Sequence, residues 1–313
     1  MRICVTGGAG FIGHHTIKEL QQHGHELLII DNLSTGKPEN LLPEIPFINA
    51  DILETCAARA IQEFKPEAIL HLAAKVSVRG SVDGIADDAR QNFLGTACVL
   101  EAACAAGVKR FVMASSMAVY ADAPSPIPLN EIWPSAPRSP YGISKLAAEQ
   151  LLHQTGQRTG MTTAALRLFN AFGPGQALSP YVGVVTIFIN RLLSGEAPMI
   201  FGDGEQCRDF VHVADIARAC RLALESSCSG QSINIGTARG TTVNQLAKML
   251  IDNVAPSLKA VHVGTRPEEN RNSVADIGLA RDLLGYSPQH SLEEKLTELI
   301  EAHLTAPTSQ SFL

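Results

Sequence analysis

The sequence predicts an α/β fold: a doubly wound parallel sheet followed by a smaller second domain. Three observations carry this. Short apolar runs that read as strands alternate with helix-like segments through the first half of the chain. A glycine-rich turn joins the first strand to the first helix. After about Asn170 the pattern changes, and Gly, Pro and Ser become frequent, as in Gly173-Pro174-Gly175, Ser179-Pro180, Gly202 and Gly204.

The elements follow in order. Arg2 to Thr6 reads as a buried strand, and Phe11 to His23 as the helix after the turn. Glu26 to Asp31 is the second strand, Ala57 to Phe64 is helical, and Ala68 to Ala73 is another strand. Asp87 to Ala106 reads as one long helix rich in Ala and Leu. Arg110 to Ser115 is a strand, Tyr141 to Gln154 a helix and Thr163 to Leu168 a strand. Right-handed crossovers then place helices on both faces of the sheet. In the second half, helices are expected near Val184 to Ser194, Val213 to Glu225, Val243 to Asn253 and Ser291 to Ala302.

Composition narrows the class. The chain has 313 residues, which suits one large domain or two closely joined ones. With 45% hydrophobic and 18% charged residues it can fill a core, and it is not a disordered chain. Net charge is −6, from 25 Lys+Arg and 31 Asp+Glu, so the basic footprint of a nucleic-acid binder is missing. No run of 18 or more apolar residues offers a membrane span, and the first residues do not read as a secretory signal. The seven cysteines are odd in number and form no CxxC pair, so a reducing cytoplasm is expected. No metal site is expected. There is no HExxH motif, His212 and His262 lack ligand spacing, and His14 and His15 read as helix surface or packing. Cys207, beside Arg208, reads as an inert thiol.

The turn after the first strand is Gly7-Gly8-Ala9-Gly10-Phe11-Ile12-Gly13. A tight turn, a backbone pressed against a pyrophosphate and a helix packed close to its strand all demand glycine. The helix start then offers free N–H groups and a positive dipole end to phosphates. This is a Rossmann-type dinucleotide site. Asp31 ends the second strand 18 residues after Gly13, where a carboxylate binds ribose hydroxyls and repels a 2′-phosphate. NAD is therefore expected rather than NADP. The alternative for Asp31 is a turn cap together with Asn32. Asp51-Ile52 either meets the adenine edge or caps the helix near Glu54.

Tyr141-Gly142-Ile143-Ser144-Lys145 is a YxxxK pattern at a helix start. Residues four apart share a helix face, so the phenol and the ammonium address one pocket. The ammonium is expected to lower the phenol pKa and make Tyr141 a base. Ser115-Ser116 ends a strand 25 residues before Tyr141, and open α/β sheets bind ligands at such carboxyl ends.

With these motifs the chain resembles the extended short-chain dehydrogenase/reductase superfamily, in its NAD-dependent nucleotide-sugar epimerase/dehydratase branch. The resemblance runs from VTGGAGFIG through DNLS at Asp31, HLAAKVSV at His71 and NFLGT at Asn92. It continues through ASSMAVY at Ala114, SPYGISKLAAE at Ser139, LRLFNAFGPGQ at Leu166 and GDGEQCRDFVHVADIA at Gly202, to the region of Arg266 to Asp276. It implies a catalytic triad of Ser116, Tyr141 and Lys145. It implies cofactor contacts from Gly7, Gly10, Phe11, Ile12, Gly13, Asp31, Asn32, Asp51, Ile52, Leu72, Ala73, Ala74, Lys75 and Asn92, besides Tyr141 and Lys145. A nucleotide sugar, best a UDP-sugar, would meet Lys75, Ser116, Tyr141, Asn170, Arg208, Arg266, Glu269 and Ser273. The implied domains are a Rossmann domain over 1–169, with segments near 208–236 returning to it, and a nucleotide-sugar domain over 170–207 and 237–305. Residues 306–313 would be a flexible tail. The resemblance also implies a homodimer, with four-helix contact near Asn92 and Tyr141.

Within that branch, dehydratases and decarboxylases resemble one another in placing a carboxylate after the strand-end hydroxyl. Here Met117 follows Ser116, and no Arg occurs over Gly175 to Pro180. The resemblance then implies an epimerase that inverts carbon 4 of an uncharged UDP-hexose. Ser273, a small residue seven after Arg266, would admit N-acetylhexosamines. The remaining alternatives are another nucleotide-sugar enzyme of the branch and, in a different class, a non-catalytic NAD-binding scaffold. In this chain Glu268 and Cys207 stand where relatives often carry Gly and Thr.

Overall fold

Seven parallel strands form the central sheet of the computed structural model, which describes residues 1–176, 183–265 and 270–305. They are β1 (Arg2–Thr6), β2 (Glu26–Asp31), β3 (Phe47–Asn49), β4 (Ala68–His71), β5 (Arg110–Ser116), β6 (Thr162–Leu168) and β7 (Gln231–Ile235). Their order across the sheet is β7-β6-β5-β4-β1-β2-β3. The chain builds outward from β1 to β3, then returns to lay β4 on the other side of β1. In register, Thr6 at the end of β1 stands between Ile30 of β2 and His71 of β4. This reversal opens a crevice beyond the carboxyl ends of β1 and β4, the place where such sheets bind ligands.

The strands are apolar on both faces because helices cover both. The main helices are α1 (Phe11–Gln22), α2 (Thr55–Phe64), α3 (Gly95–Ala105), α4 (Pro140–Thr159), α5 (Val184–Leu193), α6 (Val213–Glu225), α7 (Val243–Val254), α8 (Gly278–Leu284) and α9 (Leu292–Thr305). Successive strand residues point to opposite faces. Ile3 and Val5 accordingly join Ile17 and Leu20 of α1 and Ile216 and Ala219 of α6 in one core. Cys4 joins Ala57 and Ile61 of α2, Val99 and Ala103 of α3 and Ala148 and Leu152 of α4 in the other.

A third core is separate. Phe172, Phe188, Ile189, Leu246, Leu250, Leu296 and Leu299 bring α5, α7 and α9 together. Short strands edge this region. Cys207–Arg208 lies between Thr241–Thr242 and Asn272–Ala275, and Phe210–His212 pairs with Asn170–Phe172. Among the described strands after β6, only β7 enters the large sheet, beside β6.

One expected element carries an unexpected feature. The helix read over Asp87 to Ala106 runs unbroken from Ile85 to Ala105, but it widens into a π-type turn over Arg90–Leu94 before α3, and a separate short helix, Val78–Asp83, precedes it. A Cβ on Gly95 would lie 2.5 Å from the Ile52 side chain, so the glycine lets α3 press against that residue. β3 was not anticipated, because its three residues carry no readable alternation. The expected tail 306–313 lies outside the described residues. No helix among the described residues is long and apolar enough to cross a membrane.

Candidate active site

The glycine loop closes the end of β1 over the end of β4. Gly7 has φ +76°, and a Cβ there would sit 2.5 Å from the Ala73 nitrogen and 2.7 Å from the Leu72 carbonyl carbon. A Cβ on Gly13 would collide with the Gly7 oxygen at 2.1 Å. Both glycines are demanded by the fold itself. Gly10 is not: its Cβ would meet only the Gly7 oxygen at 3.4 Å, and its φ of −74° suits any residue. Gly10 caps α1 without a side-chain hydrogen bond, and the first N–H groups of a helix have no partner within it.

Asp31 holds this loop from β2. Its Oδ2 accepts from the Ala9 N–H at 3.0 Å, and its Oδ1 from the Leu33 N–H at 2.8 Å. Asn32 donates to Asp51 Oδ2 at 2.9 Å, and Asp51 Oδ1 caps the Leu53 N–H. Each carboxylate thus shapes a turn at the sheet edge, the structural alternative read for it. Ile52 is buried in the second core under Gly95.

On the other side of β1, the 72–77 loop is tied down by Asn92. Its Oδ1 accepts from the Lys75 N–H at 2.9 Å, and its Nδ2 donates to the Lys75 oxygen at 3.0 Å. The Lys75 ammonium is exposed and pairs with Asp87. Beneath it, the Ala73 N–H points at Thr6 Oγ1, which bonds His71 Nδ1 at 2.7 Å. His71 Nε2 bonds Thr96 Oγ1 at 3.1 Å, and that hydroxyl donates to the Asn92 oxygen at 2.7 Å. A consistent set of donors requires a neutral His71 protonated on Nε2.

The Ser, Tyr and Lys converge beside β5. Ser116 is its last residue, and its Oγ accepts from the Ala118 N–H. Ser139 caps α4 through the Gly142 N–H at 3.1 Å, and Pro140 opens the helix. Tyr141 thus falls in the first turn and Lys145 one turn on. A Cβ on Gly142 would lie 2.3 Å from the Ala118 oxygen, so this glycine lets α4 approach the turn after Ser116. The Tyr141 N–H is held by Ser81 Oγ at 3.1 Å. Lys145 Nζ donates to the Ala114 oxygen at 3.0 Å and lies 6.0 Å from the centre of the Tyr141 ring.

The electrostatics correct one expectation. Burial pushes the Tyr141 phenol up to about 12; hydrogen bonding with Ser116 pulls it down and Asp88 pushes it further up. Burial also lowers Lys145 to about 8, against the opposing pull of Asp88 and Glu149. The ammonium is not what acidifies the phenol here. Desolvation dominates, and Lys145 is turned to the Ala114 carbonyl.

Comparisons with known proteins place this arrangement. The model of the NAD dependent epimerase/dehydratase family matches residues 3–236. The chain belongs to that family. A UDP-glucose 4-epimerase from Mycolicibacterium smegmatis is 37% identical over 307 residues, covering 96% of this chain and 98% of that protein. The crystal structure of a Thermotoga maritima UDP-glucose 4-epimerase with UDP-glucose superposes with a TM-score of 0.93 at 40% identity, over 97% of this chain and 99% of that one. A Thermus thermophilus UDP-glucose 4-epimerase solved with NAD gives 0.92 at 34% identity, over 98% and 100%.

The residues fit the dinucleotide of an NAD-dependent epimerase/dehydratase. Nothing in the protein itself requires glycine at position 10: a Cβ there would meet only the Gly7 oxygen, at the N-terminus of a helix without a side-chain cap. On the substrate side, Asn170 begins the strand paired with Phe210–His212, and Ser273 Oγ contacts Asn170 Oδ1 at 3.5 Å. Ser273 is fully buried. Arg208 is buried, and its Nη1 donates to the Cys207 and Arg271 oxygens. Asp209 beside it accepts from Thr237, Ala238 and Ala275, fixing the turn behind that arginine. Arg266, Glu269 and Glu268 lie outside the described residues, as does the segment 177–182. Burial raises the Cys207 thiol more than Arg208 lowers it, in keeping with an inert side chain.

Sequence reasoning missed several members. Ser81 and Asp88 lie in none of the quoted motifs. Gly142 lies inside the YxxxK stretch, and Thr6, His71 and Thr96 inside the VTGGAGFIG, HLAAKVSV and NFLGT stretches, but the letters do not give the packing of the one or the hydrogen bonds of the others.

Proposed function

We propose that this protein inverts carbon 4 of a UDP-hexose with the help of NAD, through a transient 4-keto sugar. The observation that carries the reading is the convergence of Ser116, Tyr141 and Lys145 at the end of β5, two strands from the glycine loop. Met117 supports epimerisation over elimination. It packs against the first core, so no carboxylate follows Ser116 to take water from the sugar.

Gly7, Gly10, Phe11, Ile12 and Gly13 would hold the pyrophosphate, and Asp31 with Asn32 the adenosine ribose. The 72–75 loop, Asn92 and Lys145 would hold the nicotinamide half. When bound, oxidised NAD supplies the hydride acceptor for carbon 4 and a positive charge that favours an ionised phenol. Tyr141 then takes the proton of the 4-hydroxyl, and Ser116 donates a hydrogen bond to the oxygen as it becomes a carbonyl. After the keto sugar has turned its other face, Tyr141 returns the proton. Arg208, with Arg266, is read as the diphosphate anchor about which the sugar turns. Asn170, backed by Ser273, is read as a contact to the sugar, with room for N-acetyl forms.

The separate third core supports a division into an NAD-binding part and a nucleotide-sugar part. Seven free thiols suit a reducing cytoplasm. A homodimer is part of the same reading. Ile143 on α4 and Phe93 and Leu94 on the π-type turn are exposed apolar side chains on segments that pack together.

The test is Tyr141→Phe, assayed with UDP-glucose by NMR at carbon 4. The variant should retain its NAD and lose at least about 10²-fold in turnover. Turnover near that of the parent would overturn the assignment.

A further inference from the structure

We propose that Asp88 is a positioning residue of this site: its carboxylate locks the catalytic helix to the Lys75 loop and brings a buried negative charge to the Ser144–Lys145 turn. The proposal rests on the reading of Tyr141 and Lys145 given above.

Asp88 sits on the short helix Ile85–Ala89 and is 1% exposed. Both of its oxygens are used. Oδ1 accepts from Asn92 Nδ2 at 2.8 Å, and Oδ2 accepts from Ser144 Oγ at 2.7 Å. Ser144 neighbours Lys145 on α4. Asn92 is the clamp on the Lys75 backbone, and its amide can serve both partners in one orientation only. Asp88 accepts and cannot donate, so it must face Nδ2, which leaves Oδ1 for the Lys75 N–H. One carboxylate therefore fixes the orientation of the clamp and the seat of the catalytic helix.

Its charge is not neutralised by contact. No ion pair of Asp88 is found among the described residues, although a buried carboxylate is costly without a counter-charge. Lys145 is buried too and touches a carbonyl rather than a carboxylate. The charged groups facing this pair are few. Glu149, one turn beyond Lys145, is held by Arg167 at 2.7 Å. His71, from β4, is kept neutral by burial. Arg79, Asp83, Asp87 and Arg90, from the neighbouring turns, are exposed, and solvent screens them. Asp88 is thus the buried carboxylate of this group that no cation already holds. Its field opposes the desolvation of Lys145, and it is the first of the influences that hold that group's pKa up.

The deciding variant is Asp88→Asn in the NAD-bound enzyme. Its carbonyl can still accept from Asn92, and its amide can donate to Ser144, whose hydroxyl reverses its role. Both hydrogen bonds survive while the charge is lost. With lysine labelled by ¹³C at Cε, the Lys145 titration should move down by about one pH unit. The alkaline limb of kcat should move with it. At pH 8, kcat for UDP-glucose should fall about fivefold, with KM and bound NAD within about twofold. An unmoved titration and an unmoved limb would overturn the proposal and leave Asp88 a structural link. Asp88→Glu keeps the charge, so the Lys145 titration should stay in place; a shift of about one unit there would equally overturn it. Failure of the underlying reading looks different. Tyr141→Phe would then remain active, whereas the labelled Lys145 reports on Asp88 whether or not turnover depends on it.

Discussion

The glycines of the first turn divide by what a methyl group would strike. At position 13 it strikes the Gly7 carbonyl at 2.1 Å, so Gly13→Ala must move backbone; at position 10 it meets an ordinary contact. Gly13→Ala should cost about 3 kcal/mol or more in denaturant unfolding. Gly10→Ala should cost about 1 kcal/mol or less, the difference between the two residues as caps. Its effect should fall on NAD, with affinity reduced at least about tenfold by calorimetry, or about 1.4 kcal/mol. Equal losses of stability in the two variants would remove the argument that position 10 is kept for a ligand. The motif was legible as letters, but its division of labour was not, because both positions read as G and only the packed loop tells them apart. The same holds for Tyr141 and Lys145. The spacing placed them on one helix face, yet the sign of the phenol shift depended on burial, which spacing does not contain.

Between residues and domains, the chain of hydrogen bonds through Thr6, His71 and Thr96 joins β1, β4 and α3. His71 is fully enclosed, and burial, with Lys145 nearby, lowers its pKa to about 3 from 6.5. The unfolded chain therefore takes up this proton first as pH falls. The stability due to a neutral His71 is complete above about 6.5 and is lost progressively on the way down to about 3. Through that window this residue should contribute a slope of up to about 1.4 kcal/mol per pH unit in unfolding free energy. His71→Gln keeps a donor toward Thr96 without the titration, so its stability should depend less steeply on pH between 4 and 6. An unchanged slope would assign the acid sensitivity elsewhere. Periodicity revealed β1, β2 and α6 nearly to the residue, since their buried faces are long and regular. It also gave the helix over Asp87 to Ala106, but not the π-type turn inside it, which an Ala- and Leu-rich composition masks. That turn exists for tertiary reasons: it sets Asn92 against Lys75 and Gly95 against Ile52.

At the scale of the molecule, His15 of α1 bonds the Pro174 oxygen at 2.9 Å, tying the helix after the glycine loop to the segment that follows Phe172. The face formed by α4 and the π-type turn has no such cover. Ile143 is 56% exposed, Leu94 49% and Phe93 38%, with Ile85 at 62% on the adjoining turn. Apolar side chains gathered on helices that pack together mark an association surface. The small residues Ala97 and Ala147 on the same helices permit close approach of a second copy. These side chains alternate with those of the site. Phe93 follows Asn92, and Ile143 lies two residues after Tyr141, so a partner pressing on one face would steady the other. The wild-type enzyme should therefore sediment as a dimer at micromolar concentration. Leu94→Asp combined with Ile143→Asp should sediment as a monomer, because a charge directed into an apolar contact must be desolvated. The monomer should keep its far-ultraviolet circular dichroism, yet turn over UDP-glucose more slowly, as the helix bearing Tyr141 loses its support. A wild-type chain that sediments as a monomer under these conditions would mean that this apolar face serves some other contact.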